Sequence, residues 1–366
     1  MRTYHVGPHG NHRMQPPPQS LDQARRSWLA GLAREHAAQG TGGSALALAR
    51  GHWMCGEYAA AIDGFVAACD LAPDDPETRL ALVRAAAMVG RDDLAGAALA
   101  EGLRRSPASI GLQLHAALDD VPAALDRARS RLQPLREDPL CQQFAQALLA
   151  IISGAPAPPT NDADPRAVAR IDGLRWVQRC SMDPQVHAGR PVDVLLRALA
   201  AAPAHGLTLE CGVYFGRSLS IIAAHTAGAV HGFDSFQGLP EAWNANEGAG
   251  AYSTAGRLPA VAANVTLHTG WFEDTLPPFF AANPGPIRLL HIDCDLYSST
   301  RTVLAEAEPR LVPGSVIVFD DLLGYPGYEQ HELRAFEEFV AATGLRWELL
   351  GATLLGREVA MRITAR

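Results

Sequence analysis

A chain of 366 residues, 48% hydrophobic, 19% charged and with a formal charge of −8, is long enough for two domains of about 150 residues and lacks the basic footprint of a nucleic-acid binder. No uncharged apolar run of about 18 residues occurs and the first twenty residues carry no apolar signal-peptide core, which predicts a soluble cytoplasmic protein without a membrane partner. All 31 residues counted as Lys plus Arg are arginine, so lysine Schiff-base chemistry and a phosphate loop of the form GxxxxGK[ST] are excluded.

The first element is a Pro- and His-rich flexible tail, residues 1–20. From 21 to 152 the chain is rich in Ala and Leu, with Gly and Pro only at intervals that suit turns between helices, and it reads as an all-helical domain. Gly56, Ala61 and Pro73 recur thirty-four positions later as Gly90, Ala95 and Pro107, and thirty-four is the tetratricopeptide period. The first copy carries Tyr58, Phe65 and Ala68, where the second has Asp92, Leu99 and Gly102. The repeat is therefore short and degenerate. Stacked helix pairs bury a shared core and leave a concave groove, which suits either docking of a partner or carrier or a packing and dimerisation role.

Residues 153–165, SGAPAPPTNDADP, read as a linker, and 166–366 as a second domain. Helical patterns around 167–181 and 190–202 precede strand candidates at 207–211, 229–234, 264–269, 287–293, 315–320, 346–351 and 358–364. Strand and helix alternate five times before two final strands, which predicts a doubly wound, mostly parallel sheet with an antiparallel C-terminal edge. The six cysteines form no CxxC pair and read as small core residues.

Ligands of open α/β sheets sit beyond the carboxyl ends of the strands. After the first long strand comes Glu210-Cys-Gly212-Val-Tyr214-Phe-Gly216-Arg-Ser218. It lacks the third glycine of a pyrophosphate cradle, and an acid beside a looser turn suits a ligand with an ammonium group, such as the methionine end of S-adenosylmethionine. Asp234 and Ser235 close the next strand, where a carboxylate accepts ribose hydroxyls. Gly270-Trp271-Phe272 offers an adenine-facing surface, with core packing of Trp271 an equal alternative. Asp293 and Asp295 end one strand and Asp320 and Asp321 its neighbour, and such oxygen-only convergence suits Mg²⁺. For Asp295 a helix cap is the preferred role, leaving Asp293, Asp320 and Asp321 for the metal. Loop 238–262 serves as a lid or a plain surface loop. Tyr252, Glu329 and His331 are acceptor-side candidates, the last two equally readable as surface residues.

The motifs ECGVYFGRS, HGFDSFQGLPE, GWFEDTLP, LLHIDCDLYSST and VFDDLLGYPGYEQHELRAFEEF, in this order over roughly 205–345, resemble the macrocin and novobiocin-pathway sugar O-methyltransferases. The resemblance implies a Rossmann-like class I S-adenosylmethionine-dependent fold, a Mg²⁺ site on Asp293, Asp320 and Asp321, and Asp293 as general base. It covers only the C-terminal half. Leu296 stands where catechol-type relatives have a lysine, and Leu322 where sugar-methylating members often have a tyrosine. The expected reaction is methyl transfer to a hydroxyl of a sugar or glycosylated natural product. The alternatives are a peptide or carrier-bound substrate docked on the repeats, a scaffold built around them, or a homo-oligomer joined through them. An NAD-dependent oxidoreductase is disfavoured by the missing GxGxxG and lysine.

Overall fold

The computed structural model describes residues 18–121, 123–138, 141–160, 164–354 and 356–366. Of the tail expected over 1–20, positions 1–17 lie outside the described residues, and the chain is already helical at Pro18. It folds as two compact units. One holds everything described up to Ala116 together with Tyr214–Arg217 and Phe236–Ala260; the other holds Ala117–Val213, Ser218–Ser235 and Val261–Arg366. Two stretches counted with the second domain from sequence thus belong with the helices, and the described residues of 117–152, counted with the helical domain from sequence, belong with the sheet. Of the linker expected over 153–165, residues 161–163 lie outside the described residues and Pro165 already starts a helix.

The helical unit contains α1 (Pro18–Gln39), α2 (Gly42–Met54), α3 (Tyr58–Leu71), α4 (Pro76–Met88) and α5 (Asp92–Arg105), with the start of α6 (Ile110–Asp120). The pair α2/α3 and the pair α4/α5 repeat at the thirty-four-residue spacing. Their backbones repeat too: Gly56 and Gly90 sit at φ 74° and 73° in the turn of each pair, a left-handed conformation that glycine adopts without cost. Asp75 starts α4 by accepting the amides of Glu77 and Thr78, both at 3.2 Å, with Pro76 at the first helical position where no amide is needed. Small residues allow close helix crossings, since a Cβ on Gly64 would lie 2.9 Å from that of Ala49. The core between them includes Trp53, Phe65, Leu80, Val83, Leu99 and Leu112, with Trp53 edge-on to Tyr58 at 5.0 Å.

The sheet unit opens with α7 (Leu125–Leu135), α8 (Gln142–Ile152), α9 (Pro165–Cys180) and α10 (Pro191–Ala201). Its eight described strands are β1 (His187–Ala188), β2 (Leu207–Cys211), β3 (Val230–Asp234), β4 (Val265–Thr269), β5 (Ile287–Ile292), β6 (Val316–Phe319), β7 (Arg346–Thr353) and β8 (Val359–Ala365), in the spatial order β1-β7-β8-β6-β5-β2-β3-β4. Every expected strand is present within two residues of its expected bounds. β8 runs antiparallel to both β6 and β7, forming the expected antiparallel end, and two-residue β1 adds outside it, parallel to β7. β5 and β6 are buried at every position, as a parallel strand covered on both faces requires. The helices α11 (Arg217–Ala224), α12 (Phe272–Ala282), α13 (Tyr297–Ala307) and α14 (Glu332–Thr343) follow β2, β4, β5 and β6. Five of the six cysteines are buried, but Cys180 at the end of α9 is exposed, which corrects its reading as a core residue.

Candidate active site

The strand order changes direction between β2 and β5: β2, β3 and β4 step one way and β5 and β6 the other. Such a switch point leaves a crevice at the carboxyl ends of the two central strands. The chain is drawn tight there. The Asp293 amide donates to Cys211 O at 2.8 Å, and the Asp320 amide to Ile292 O at 2.9 Å. Gly212 has φ 92°, and a Cβ on it would lie 1.7 Å from the Asp293 carbonyl oxygen, so no other residue fits between these strand ends.

Three carboxylates converge at the ends of β5 and β6. Oxygens of Asp293, Asp295 and Asp321 all lie within 4.8 Å of one another. Hard divalent cations take oxygen ligands at about 2.0–2.6 Å, which places two donors on one ion no more than about 5 Å apart, so these three side chains fit such an ion. Asp295 is not the cap expected of it: Leu296 occupies the N-cap of α13, and Asp295 stands one residue earlier at φ 61°. That left-handed turn brings its side chain to the other acids. Asp320 is not among the three. It lies 3.9 Å from His291 Nε2, and the opposite ring nitrogen of His291 is 3.1 Å from Glu210 Oε1.

Burial raises the Asp293 carboxyl well above the ordinary carboxylate range, and the neighbouring acids Asp320, Asp295, Asp321 and Glu210 push it further. Glu332, fully buried in the first turn of α14, is raised for the same reasons, burial first and then Asp321 and Asp320. Its Oε1 accepts the amides of Cys294 and Asp295 at 3.4 and 3.2 Å. Glu332 thereby holds the turn that directs Asp295. On the other side of the cluster, Arg357 Nη1 donates to Asp321 Oδ1 at 2.5 Å, and its guanidinium covers the Tyr325 ring at 4.9 Å.

Glu210 is fully buried inside the sheet. Asp234 Oδ2 accepts the Val213 amide at 2.8 Å, so one carboxylate oxygen is engaged by the turn that follows β2. Ser218 in the first turn of α11 and Ser235 after β3 are buried. Gly270, at φ 145°, ties to β3 through its amide and the Asp234 carbonyl at 3.0 Å. Trp271, the N-cap of α12, and Phe272, its first residue, are half-buried. Glu329 is exposed in a short helical turn, whereas His331 is half-buried with its ring 6.2 Å from that of Tyr325. Leu296 and Leu322, at the two positions of departure from the resembled family, are both buried.

Tyr214, Gly216 and Tyr252 lie in the helical unit. Within it, Tyr214 and Tyr252 meet edge-on at 5.9 Å, and the Tyr252 hydroxyl donates to Glu247 Oε1 at 2.5 Å. Sequence reasoning passed over His291, Glu332 and Arg357. Only His291 gave a signal, as the one imidazole in an otherwise apolar run before Asp293.

Residues 209–322 match the family model described as a methyltransferase domain. Over 189 residues, covering 44% of this chain and 69% of the relative, the sequence is 29% identical to the 8-demethyl-8-(2,3-dimethoxy-alpha-L-rhamnosyl)-tetracenomycin-C 4'-O-methyltransferase of Streptomyces olivaceus. Among solved structures, the calicheamicin methyltransferase CalS11 is similar at 21% identity and a TM-score of 0.39, covering 64% of this chain and 90% of that one. The O-methyltransferase NovP is similar at 22% identity and a TM-score of 0.36, covering 54% and 81%. The chain is an S-adenosylmethionine-dependent O-methyltransferase. The named Streptomyces relative is a methyltransferase of a rhamnosyl-bearing tetracenomycin. Among the described residues, no helix is long and apolar enough to cross a membrane.

Proposed function

We propose that this enzyme methylates a hydroxyl of a sugar or glycosylated small molecule, with a divalent cation such as Mg²⁺ held by the acidic strand ends. The convergence of Asp293, Asp295 and Asp321 within 4.8 Å carries this reading, because three carboxylates so close repel one another unless a cation lies between them. Asp320, assigned to the metal both from its place at a strand end and from the resemblance, stands beside them, 3.9 Å from His291 Nε2. A bound Mg²⁺ supplies charge neutralisation and acidifies a chelated hydroxyl, and S-adenosylmethionine supplies the methyl group.

The chain's own residues hold and orient. Glu210, Gly212, Tyr214, Gly216, Ser218, Asp234, Ser235 and the 270–272 turn bind the cofactor, and Asp293 takes the acceptor proton. With no lysine in the chain and every arginine protonated at neutral pH, the base must be a carboxylate or a histidine, and Asp293 is the member of the acidic trio that is partly exposed rather than buried. Most of the acceleration then comes from holding the acceptor oxygen in line with the methyl group.

The test is methyl transfer to a panel of glycosides by Asp293→Asn. A loss of about 10²–10⁴ in kcat is expected, with S-adenosylhomocysteine binding kept within a few-fold. Activity unaffected by the substitution, or by excess chelator, overturns the base or the metal respectively. A second reading, methylation of a carrier-bound or peptide substrate docked on a tetratricopeptide-like array, rests on the repeated helix pairs. Full activity on a free glycoside would remove it.

A further inference from the structure

Phe215, in the turn that follows β2, has its ring covered by two guanidinium groups far apart in sequence. Arg25 is 5.4 Å and Arg257 5.0 Å from its ring centroid. Gly56, in the turn between α2 and α3, leaves room for the ring, since a Cβ there would lie 2.3 Å from a ring carbon. Arg257 Nη2 also donates to Cys55 O at 2.8 Å, Arg217 Nη1 to Met88 O at 3.3 Å, and Arg25 Nη2 to the Tyr214 hydroxyl at 3.4 Å. The Arg257–Phe215 pair joins the 236–260 loop to the 214–217 turn, each of the other contacts joins the helices to one of those two segments, and all lie within one compact unit.

The segments so held are under backbone strain. Tyr214, Phe236, Tyr252 and Ala255 have φ between 51° and 61°, a conformation that costs a residue with a side chain about 1–3 kcal/mol and persists only where its surroundings over-determine it. The α1 helix, the α2–α3 turn and the end of α4 are those surroundings. Both segments leave the carboxyl ends of sheet strands, where ligands of this fold class bind.

We propose that the helical array is a clamp that sets the conformation of the turn after β2 and the loop after β3, with Phe215 and Arg257 as its positioning residues for cofactor binding. This deepens the functional reading above and rests on its assignment of Tyr214 and Gly216 to the cofactor. The array is then an internal part of the enzyme, and its α2–α3 turn requires glycine at 56 both for the left-handed φ and for the room that Phe215 takes.

The experiment uses the full chain, with S-adenosylhomocysteine affinity measured by calorimetry and backbone amide exchange measured without ligand. Arg257→Ala is expected to weaken S-adenosylhomocysteine about tenfold or more, as misplacement of a binding loop does, and to speed exchange across 214–217 and 236–260 while amides of β5 and β6 keep their rates. Arg257→Lys, which restores a cation over the ring, should recover most of the affinity, and Gly56→Val should reproduce the defect from the other side of Phe215. Affinity within twofold of the unaltered chain together with unchanged exchange overturns the clamp. An unaltered chain that takes up no S-adenosylhomocysteine overturns the cofactor assignment instead, and the exchange rates then decide the clamp by themselves.

Discussion

The two units solve opposite problems. At the ends of β5 and β6, charged side chains are packed closer than their charges favour, and the strands, the Glu332 carboxylate and Arg357 hold them there. In the helical unit the core is apolar and includes many alanines, and charged residues work at the rim, where Arg25 on α1 and Arg217 and Arg257 on the two strained segments tie those segments to the helices. Electrostatic cost is concentrated in the first region and conformational cost in the second. Each sits where a rigid neighbour can sustain it.

Three measurements sharpen or break this contrast. The largest effect is expected from Phe65→Ala, which removes a ring that is 3% exposed from the helical core. It should cost about 3–5 kcal/mol, seen as early loss of the helical unit in denaturant unfolding. A smaller loss, or one spread evenly over both units, would mean that the helical core is not the separate cooperative body described here.

The second is a pH effect in the sheet unit. His187 in β1 is 2% exposed, and burial, aided by Arg197, lowers its pKa from 6.5 to about 4. The unfolded chain takes up this proton as pH falls through about 6.5, while the folded chain resists it until about pH 4, so stability is lost across that window as pH falls. The full loss is about 3 kcal/mol at 1.36 kcal/mol per unit. Asp293 and Glu332, raised in the fold, act in the opposite sense, so the readout is a difference between variants. The slope of stability against pH should be less positive for His187→Gln than for the unaltered chain between pH 4 and 6.5, and identical slopes refute the assignment.

The smallest effect concerns Glu332. Glu332→Ala leaves the Cys294 and Asp295 amides without their acceptor, at a cost of about 1–3 kcal/mol. It should also weaken Mg²⁺ uptake measured by calorimetry, because the turn that directs Asp295 loses its anchor. Unchanged uptake would show that Asp295 reaches the cluster without help.

Much of the fold was legible because its signals are local. Alternation and short β-branched runs place strands such as LTLEC and SVIVFD from their own residues, and glycine recurrence marks the paired helices. β1 was invisible, since two residues carry no periodicity and exist as a strand only through pairing with β7. The acids were visible as Asp at strand ends, but which of them converge was not. Asp295 reads as a cap until its left-handed φ is known, and its place in the trio with Asp293 and Asp321 is set by that turn. Glu329 and His331 drew attention in sequence while Glu332 next to them did not. The chain leaves its helical path at His331, so Glu332 starts α14 fully buried while Glu329, in the short turn before it, lies in solvent.

From the residues alone came the two-part organisation, the order of strands along the chain, the acidic strand ends and, through the missing lysine, the limits on any catalytic base. These follow from spacing and side-chain chemistry, which act over a few residues or by simple absence. Only the tertiary structure decided the sheet order that makes a crevice between β2 and β5, the membership of the carboxylate cluster, and the capture of the 214–217 turn and 236–260 loop by helices nearly two hundred positions away. Contacts at that separation depend on how whole elements pack, and no local pattern encodes them.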